Sequence, residues 1–150
     1  MPSTTAARVD PRAPRFAAAV TSVVLAGVLL AGPHAGLPLL AVQTFAFGAG
    51  ALLGLRYQPY GWFYRRYLRP RLGEPTDLED ERPPRFAQAV GLGFALLAVV
   101  GAVAQVPLLF EVAAGFALAA ALLNAVFDFC LGCELYVLGL RLLHRDGSAR

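Results

Sequence analysis

Lysine is missing from this 150-residue chain, whose 13 basic residues are all Arg. Cys and His each occur only twice, and charged residues make up only 15% of the chain. Two Cys cannot staple an extracellular disulfide scaffold. His34 and His144 alone do not make a paired-His haem pattern, and P-loop, HExxH and Ser-His-Asp arrangements are absent as well. The scarcity of charge is uneven. No Asp, Glu or Arg falls in the 40 residues from Phe16 to Leu55, and only Glu111 falls in the 42 from Phe86 to Phe127. Ordinary globular domains carry about 25% charged residues. Soluble and disordered folds are both excluded.

What remains is strongly apolar, at 57% hydrophobic residues and a mean hydropathy of +0.58. A membrane-spanning helix needs about 20 mostly apolar residues, so each charge-poor stretch accommodates two. Gly32-Pro33-His34-Ala35-Gly36 breaks the first stretch, and Val103-Ala104-Gln105-Val106-Pro107 is a weaker break in the second. The sequence therefore predicts an all-α membrane protein with four transmembrane helices over 16–32, 37–55, 86–103 and 107–127.

Every Arg lies outside those stretches: three before the first, seven between them and three after the second. The positive-inside rule then puts both termini and the central segment in the cytoplasm and both hairpin turns outside. The expected location is the inner (cytoplasmic) membrane of the cell, multi-pass. Membrane topology accounts for the net charge of +3 better than nucleic acid does, and no nucleic-acid partner is expected.

An internal repeat supports this layout. Asp10-Pro11-Arg12-Ala13-Pro14-Arg15-Phe16-Ala17 matches Asp80-Glu81-Arg82-Pro83-Pro84-Arg85-Phe86-Ala87 at a displacement of 70, and Leu37-Pro38-Leu39-Leu40 matches Val106-Pro107-Leu108-Leu109 at 69. Two parallel two-helix repeats are expected, related by an axis along the membrane normal. A cleavable signal would have no copy in mid-chain, which argues against one at Arg8–Arg15. The expected organisation is a cytoplasmic tail 1–15, a first repeat 16–72, a linker 73–85, a second repeat 86–143 and a tail 144–150. Residues 74–81 read as a solvated acidic loop.

The opening of each unit has a plain reading. Pro14 and Pro84 suit a first helical turn, and Arg15 and Arg85 snorkel at the cytoplasmic lip. Gly50 and Gly54, and the face formed by Gly91, Ala95, Ala98 and Ala102, allow close helix packing, with homo-oligomerisation the alternative. Segment 56–69 alternates aromatics with Arg, the composition of an interfacial amphipathic segment in contact with the lipid bilayer.

One feature exceeds structural need. The only cysteines, Cys130 and Cys133, stand in C-x-x-C spacing where the fourth span ends. Three readings compete: a redox dithiol, an inert buried pair, and a metal site built from Cys130, Cys133, Asp128 and His144. On a helix the two sulfurs share one face. At displacement 69 they align with Gly61 and Tyr64, which puts them at the cytoplasmic surface. Arg15 and Arg85 are expected to favour the thiolate and Glu134 to oppose it. No cofactor is implied.

Pro84-Arg85-Phe86-Ala87-Gln88 with Val90-Gly91, and Phe129-Cys130-Leu131-Gly132-Cys133-Glu134-Leu135-Tyr136, resemble the bacterial membrane family called domain of unknown function 4395, over roughly Asp10 to Leu143. Genes of that family often lie beside those for thioredoxin-like and sulfurtransferase proteins. The resemblance thus implies a membrane partner in thiol or sulfur chemistry. The alternative is a non-enzymatic anchor, scaffold or small transporter subunit. Glu111, the one ionisable group in its stretch and near its outer end, weakens a transporter.

Overall fold

The computed structural model describes residues 7–147, and among them the chain is almost entirely helical. A two-residue strand β1 (Arg8–Val9) leads into α1 (Arg12–Ala35). Helix α2 (Leu37–Gly48) continues through a π-helical turn to Leu53. A short 3-10 turn (Leu55–Tyr57), α3 (Pro59–Phe63), a second π-helical turn (Tyr64–Leu68) and α4 (Arg69–Leu72) follow. Strand β2 (Glu79–Asp80) then precedes α5 (Arg82–Val103), α6 (Pro107–Phe127) and α7 (Leu131–Gly147).

Three of these helices, α1, α5 and α6, are long and apolar enough to cross a membrane. The apolar helix Leu37–Leu53 is shorter; its 17 residues rise about 26 Å, against a hydrocarbon layer of about 30 Å. Leu30, Phe45 and Val103 lie exposed on the outside of the bundle, as lipid-facing side chains do. The chain is an all-helical membrane protein.

Breaks in the helices follow the punctuation of the sequence. Gly32 takes φ 83°, and Pro33 has no N–H to continue the ladder, so α1 kinks there before Gly36 closes it. Pro38 and Pro107 then occupy the first turns of α2 and α6, where a missing N–H costs nothing.

Lipid is as apolar as Leu, so these helices associate through close packing of small side chains. Ala95, Ala98 and Ala102 on α5 meet Ala113 and Ala114 on α6, with Val28, Leu40, Phe47 and Phe110 filling between them. Helix α5 lies at the centre and touches α2, α6 and α7, while α1 packs on α2 and α6. The faces expected from sequence are used within the chain: Gly91 rests under the Phe47 ring and Gly50 under the Gln88 side chain. A buried polar clasp ties α1 to α2, because Gln43 Nε2 donates to Thr21 Oγ1 at 3.2 Å and Tyr60 Oη donates to Gln43 Oε1 at 3.0 Å.

Segment 74–81 is not simply a solvated loop. Glu79 and Asp80 pair antiparallel with Val9 and Arg8, which brings the starts of α1 and α5 together. Ladder hydrogen bonds recruit residues that charge alone assigns to solvent. Helix boundaries move accordingly: α1 and α5 begin at Arg12 and Arg82 instead of within the expected spans, and α7 carries helix into the expected tail as far as Gly147. At each start an Asp two residues ahead accepts the Arg backbone N–H and grips the guanidinium. Asp10 does so with Arg12 and Asp80 with Arg82.

Asp10 is buried, and Tyr64 Oη also donates to it at 3.3 Å. Burial would raise its carboxyl pKa, but the hydrogen bonds and charge of Arg12 outweigh that and hold it below the ordinary carboxylate range. The stabilisation is therefore full well above the ordinary value of 3.8 and is lost as pH falls through the depressed one. Asp10→Ala is expected to cost about 1.5–3 kcal/mol at neutral pH. It should also flatten the acid limb of a detergent unfolding curve. An unchanged acid limb would contradict this role.

Candidate functional site

Helix α6 stops at Phe127 because Asp128 turns left-handed (φ 55°, ψ 31°), its N–H reaching back to the Asn124 carbonyl at 3.1 Å. Only Asp128, Phe129 and Cys130 separate α6 from α7. The two cysteines therefore do not sit together inside one helix, as expected from sequence. Cys130 precedes α7, and Cys133 lies in its first turn. Cys130 Sγ accepts the Cys133 backbone N–H at 3.4 Å, and Glu134 N–H donates to the Cys130 carbonyl at 3.0 Å. This is the geometry of a helix N-cap with sulfur in place of oxygen.

The cap is held tightly against the bundle. A Cβ on Gly132 would fall 2.5 Å from Ala87 Cα, so α7 starts directly against the α5 backbone. Tyr136 packs its ring on Phe86 at 5.7 Å. Both cysteines are half-buried, and no disulfide joins them.

The cap polarises the pair. The Cys133 thiol donates to Cys130, and this outweighs burial; the Cys133 and Gly132 backbone N–H groups help, and Glu134 opposes. The Cys130 pKa falls from 9.0 to about 7. The Cys133 thiol moves far upward, first because it spends its proton on Cys130, then through burial and the negative fields of Glu79 and Glu134. One sulfur is thus nucleophilic near neutral pH while the other keeps its proton. Disulfide exchange in general requires such a difference between an attacking and a resolving thiol.

The two Arg expected beside the thiolate are engaged elsewhere. Arg15 Nε donates to the Ala125 carbonyl at 3.2 Å and Nη2 to Val126 at 3.5 Å, at the C-terminus of α6. Arg85 Nε donates to the Ala51 carbonyl at 2.8 Å and Nη2 to Leu52 at 3.1 Å, where the α2 helix ends, with Glu81 at 3.9 Å. Open carbonyls at a helix end carry partial negative charge, and a bidentate guanidinium satisfies them. Arg15 thus anchors the strand of chain that turns into Cys130.

The four residues of the metal alternative are not brought together by the fold. Among the described residues no three His, Cys, Asp or Glu side chains converge. His144 lies thirteen residues past Leu131 on α7, about 20 Å away at 1.5 Å per residue.

Sequence reasoning missed a cavity of about 290 Å³ enclosed by α1, α5, α6 and the start of α7. Cys130 lines it, together with Gln88 and Phe94 of α5 and Phe116 and Asn124 of α6. Gln88 and Asn124, two amides in a stretch whose one charge is Glu111, were its sequence signal.

These features define a class: a helical membrane protein with a capped dithiol opening onto a cavity between its helices. The family described as Domain of unknown function (DUF4395) matches residues 9–141, and the chain belongs to it. No curated protein and no solved structure matches the chain.

Proposed function

We infer that the protein is a membrane-bound thiol-disulfide redox partner, exchanging electrons or sulfur with a soluble thioredoxin-like or sulfurtransferase protein. The single observation carrying this reading is the Cys130 sulfur at the α7 N-terminus, with Cys133 as its proton donor. A partner disulfide attacked by the Cys130 thiolate gives a mixed disulfide and releases the partner's second thiolate. Cys133 then attacks Cys130, regenerating a reduced partner and leaving Cys130–Cys133 oxidised. A sulfane sulfur delivered to Cys130 as a persulfide is the sulfur-relay variant. The test is incubation of the full chain in nanodiscs with an oxidised thioredoxin. Cys133→Ser is expected to accumulate a Cys130-linked mixed disulfide that wild type resolves. No adduct at any redox poise would favour the anchor or scaffold reading.

In the proposed topology, helix 37–53 is a fourth span, and the chain folds as two parallel two-helix repeats with both termini and the dithiol in the cytoplasm. Matched details support the repeat. Asp10–Arg12 and Asp80–Arg82 open α1 and α5, and Gln58 Oε1 accepts Gly61 N–H at the start of α3 much as Cys130 accepts Cys133 N–H at the start of α7. On this alignment the first repeat carries Gln58 where the second carries Cys130, not Gly61. A cysteine placed at Pro33 or Gln105 is expected to label only from outside the cytoplasm. Labelling of both from the cytoplasmic face would invert the topology.

A further inference from the structure

We propose that the cavity beside Cys130 binds a membrane-soluble quinone, which takes the two electrons that the dithiol releases. The proposal rests on the reading of Cys130 and Cys133 as a redox pair, and it adds the lipid-side oxidant. The exchange with the soluble partner then runs in reverse, the partner's dithiol reducing the Cys130–Cys133 disulfide through the same mixed disulfide and leaving as its own disulfide.

Four observations carry it. The cavity lies among apolar helices, and it runs from Cys130 past Asn124 to Phe116, about 12 Å along α6 at 1.5 Å per residue. Its volume of about 290 Å³ stands near the lower end of ligand pockets, about 300 Å³, enough for a ring while a tail trails outward. Phe94 and Phe116 stack in its wall with centroids 6.1 Å apart and planes 23° from parallel, and Phe116 is 60% exposed on the outside of the bundle. The aromatic wall therefore reaches the surface that lipid covers, where a membrane-dissolved molecule enters. A flat ring suits that wall better than an acyl chain does.

The polar groups fit the same occupant. Gln88 and Asn124 both line the cavity. Gln88 Oε1 lies packed beside Gly50 and has no hydrogen-bond partner among the described residues, so no internal bond holds the amide in that orientation. An amide both donates and accepts. It can donate to a quinone carbonyl and accept from a hydroquinone hydroxyl, serving both redox states of one ligand. An acyl chain would leave both amides unused.

The chemistry balances. The Cys130 thiolate adds to a ring carbon of the quinone, forming an S–C bond, and one ring oxygen takes a proton from water. Cys133 then attacks the Cys130 sulfur, giving its proton to the second ring oxygen. The S–S bond forms, the S–C bond breaks, and its electron pair returns to the ring. The dithiol is oxidised by two electrons, and the quinone leaves as hydroquinone.

The test uses the reduced full chain in nanodiscs, without oxygen, and decyl-ubiquinone as probe. Quinone absorbance and free thiols are followed together. One quinone reduced per disulfide formed is expected, with no reaction in Cys130→Ser or Cys133→Ser. Gln88→Leu and the cavity-filling Ala121→Phe should each slow quinone reduction at least tenfold while leaving Cys130 reactive toward a soluble aromatic disulfide. Normal reaction with that disulfide but none with quinone in wild type would overturn the quinone proposal and leave the redox reading standing. Failure with both would overturn the two together. Stable transfer of an acyl group from acyl-CoA to Cys130, without quinone reduction, would assign the cavity to a fatty chain and overturn the proposal.

Discussion

Replacing Cys133 with Ala is expected to slow alkylation of Cys130 about sixfold at pH 7. The Cys133 thiol is the foremost cause of the lowered Cys130 pKa, so its loss returns Cys130 toward the ordinary value of 9.0 from about 7. Thiolate then falls from about one half to about one hundredth of the population. A more basic thiolate is the better nucleophile, and a Brønsted slope of about 0.4–0.5 returns about eightfold of that loss. The sign in wild type is fixed as well. Alkylation should rise with pH through a midpoint near 7, whereas in Cys133→Ala the midpoint should lie well above it. Cys133→Ser, whose hydroxyl still donates, should fall between. A pH profile of iodoacetamide modification in nanodiscs decides the matter. A midpoint unmoved in Cys133→Ala would transfer the effect to the backbone N–H groups of α7.

The second large effect concerns the seat of α7. Gly132→Ala places a methyl 2.5 Å from Ala87 Cα and Cβ, neither of which is a flexible side-chain end. Helix α7 must then lift from α5. Overpacking of this kind costs about 1–3 kcal/mol. Because Gly132 and Cys133 supply the N–H groups facing Cys130, the lift should also raise the alkylation midpoint. Ala87→Gly removes one of the two clashing carbons and is expected to recover part of both losses in the double variant. A Gly132→Ala protein with wild-type melting temperature and midpoint would show that α7 is not held by this contact.

Much of the fold was legible because lipid imposes a coarse rule: long stretches without charge become helices, and Gly-Pro pairs interrupt them. Gly32-Pro33 broke α1 where the sequence places the break. Finer features were hidden for physical reasons. Glu79 and Asp80 read as solvated acids, since two-residue strand pairing leaves no periodic signature. The alignment at displacement 69 set Cys130 against Gly61. In the structure α6 has 21 residues where helix 37–53 has 17, and the connection that follows is two residues shorter, so the displacement grows just before the site and Cys130 falls opposite Gln58. The stop at Asp128, a left-handed residue other than Gly, is likewise one that sequence rarely betrays. The dithiol was visible from spacing alone. The task of Arg15 and Arg85 was not, because open helix carbonyls compete for guanidinium groups as well as a thiolate does.

Those two Arg contacts cross between the halves of the chain. Arg15 of the first half closes the helix leading to Cys130 in the second, and Arg85 of the second closes the helix ending at Leu53 in the first. With β1 paired to β2, each half completes the other like hands gripping opposite wrists. Neither half is a self-sufficient module. A gene split between Leu72 and Glu79 would encode two mutually dependent subunits, and the half bearing the cysteines could not be grafted elsewhere without its companion.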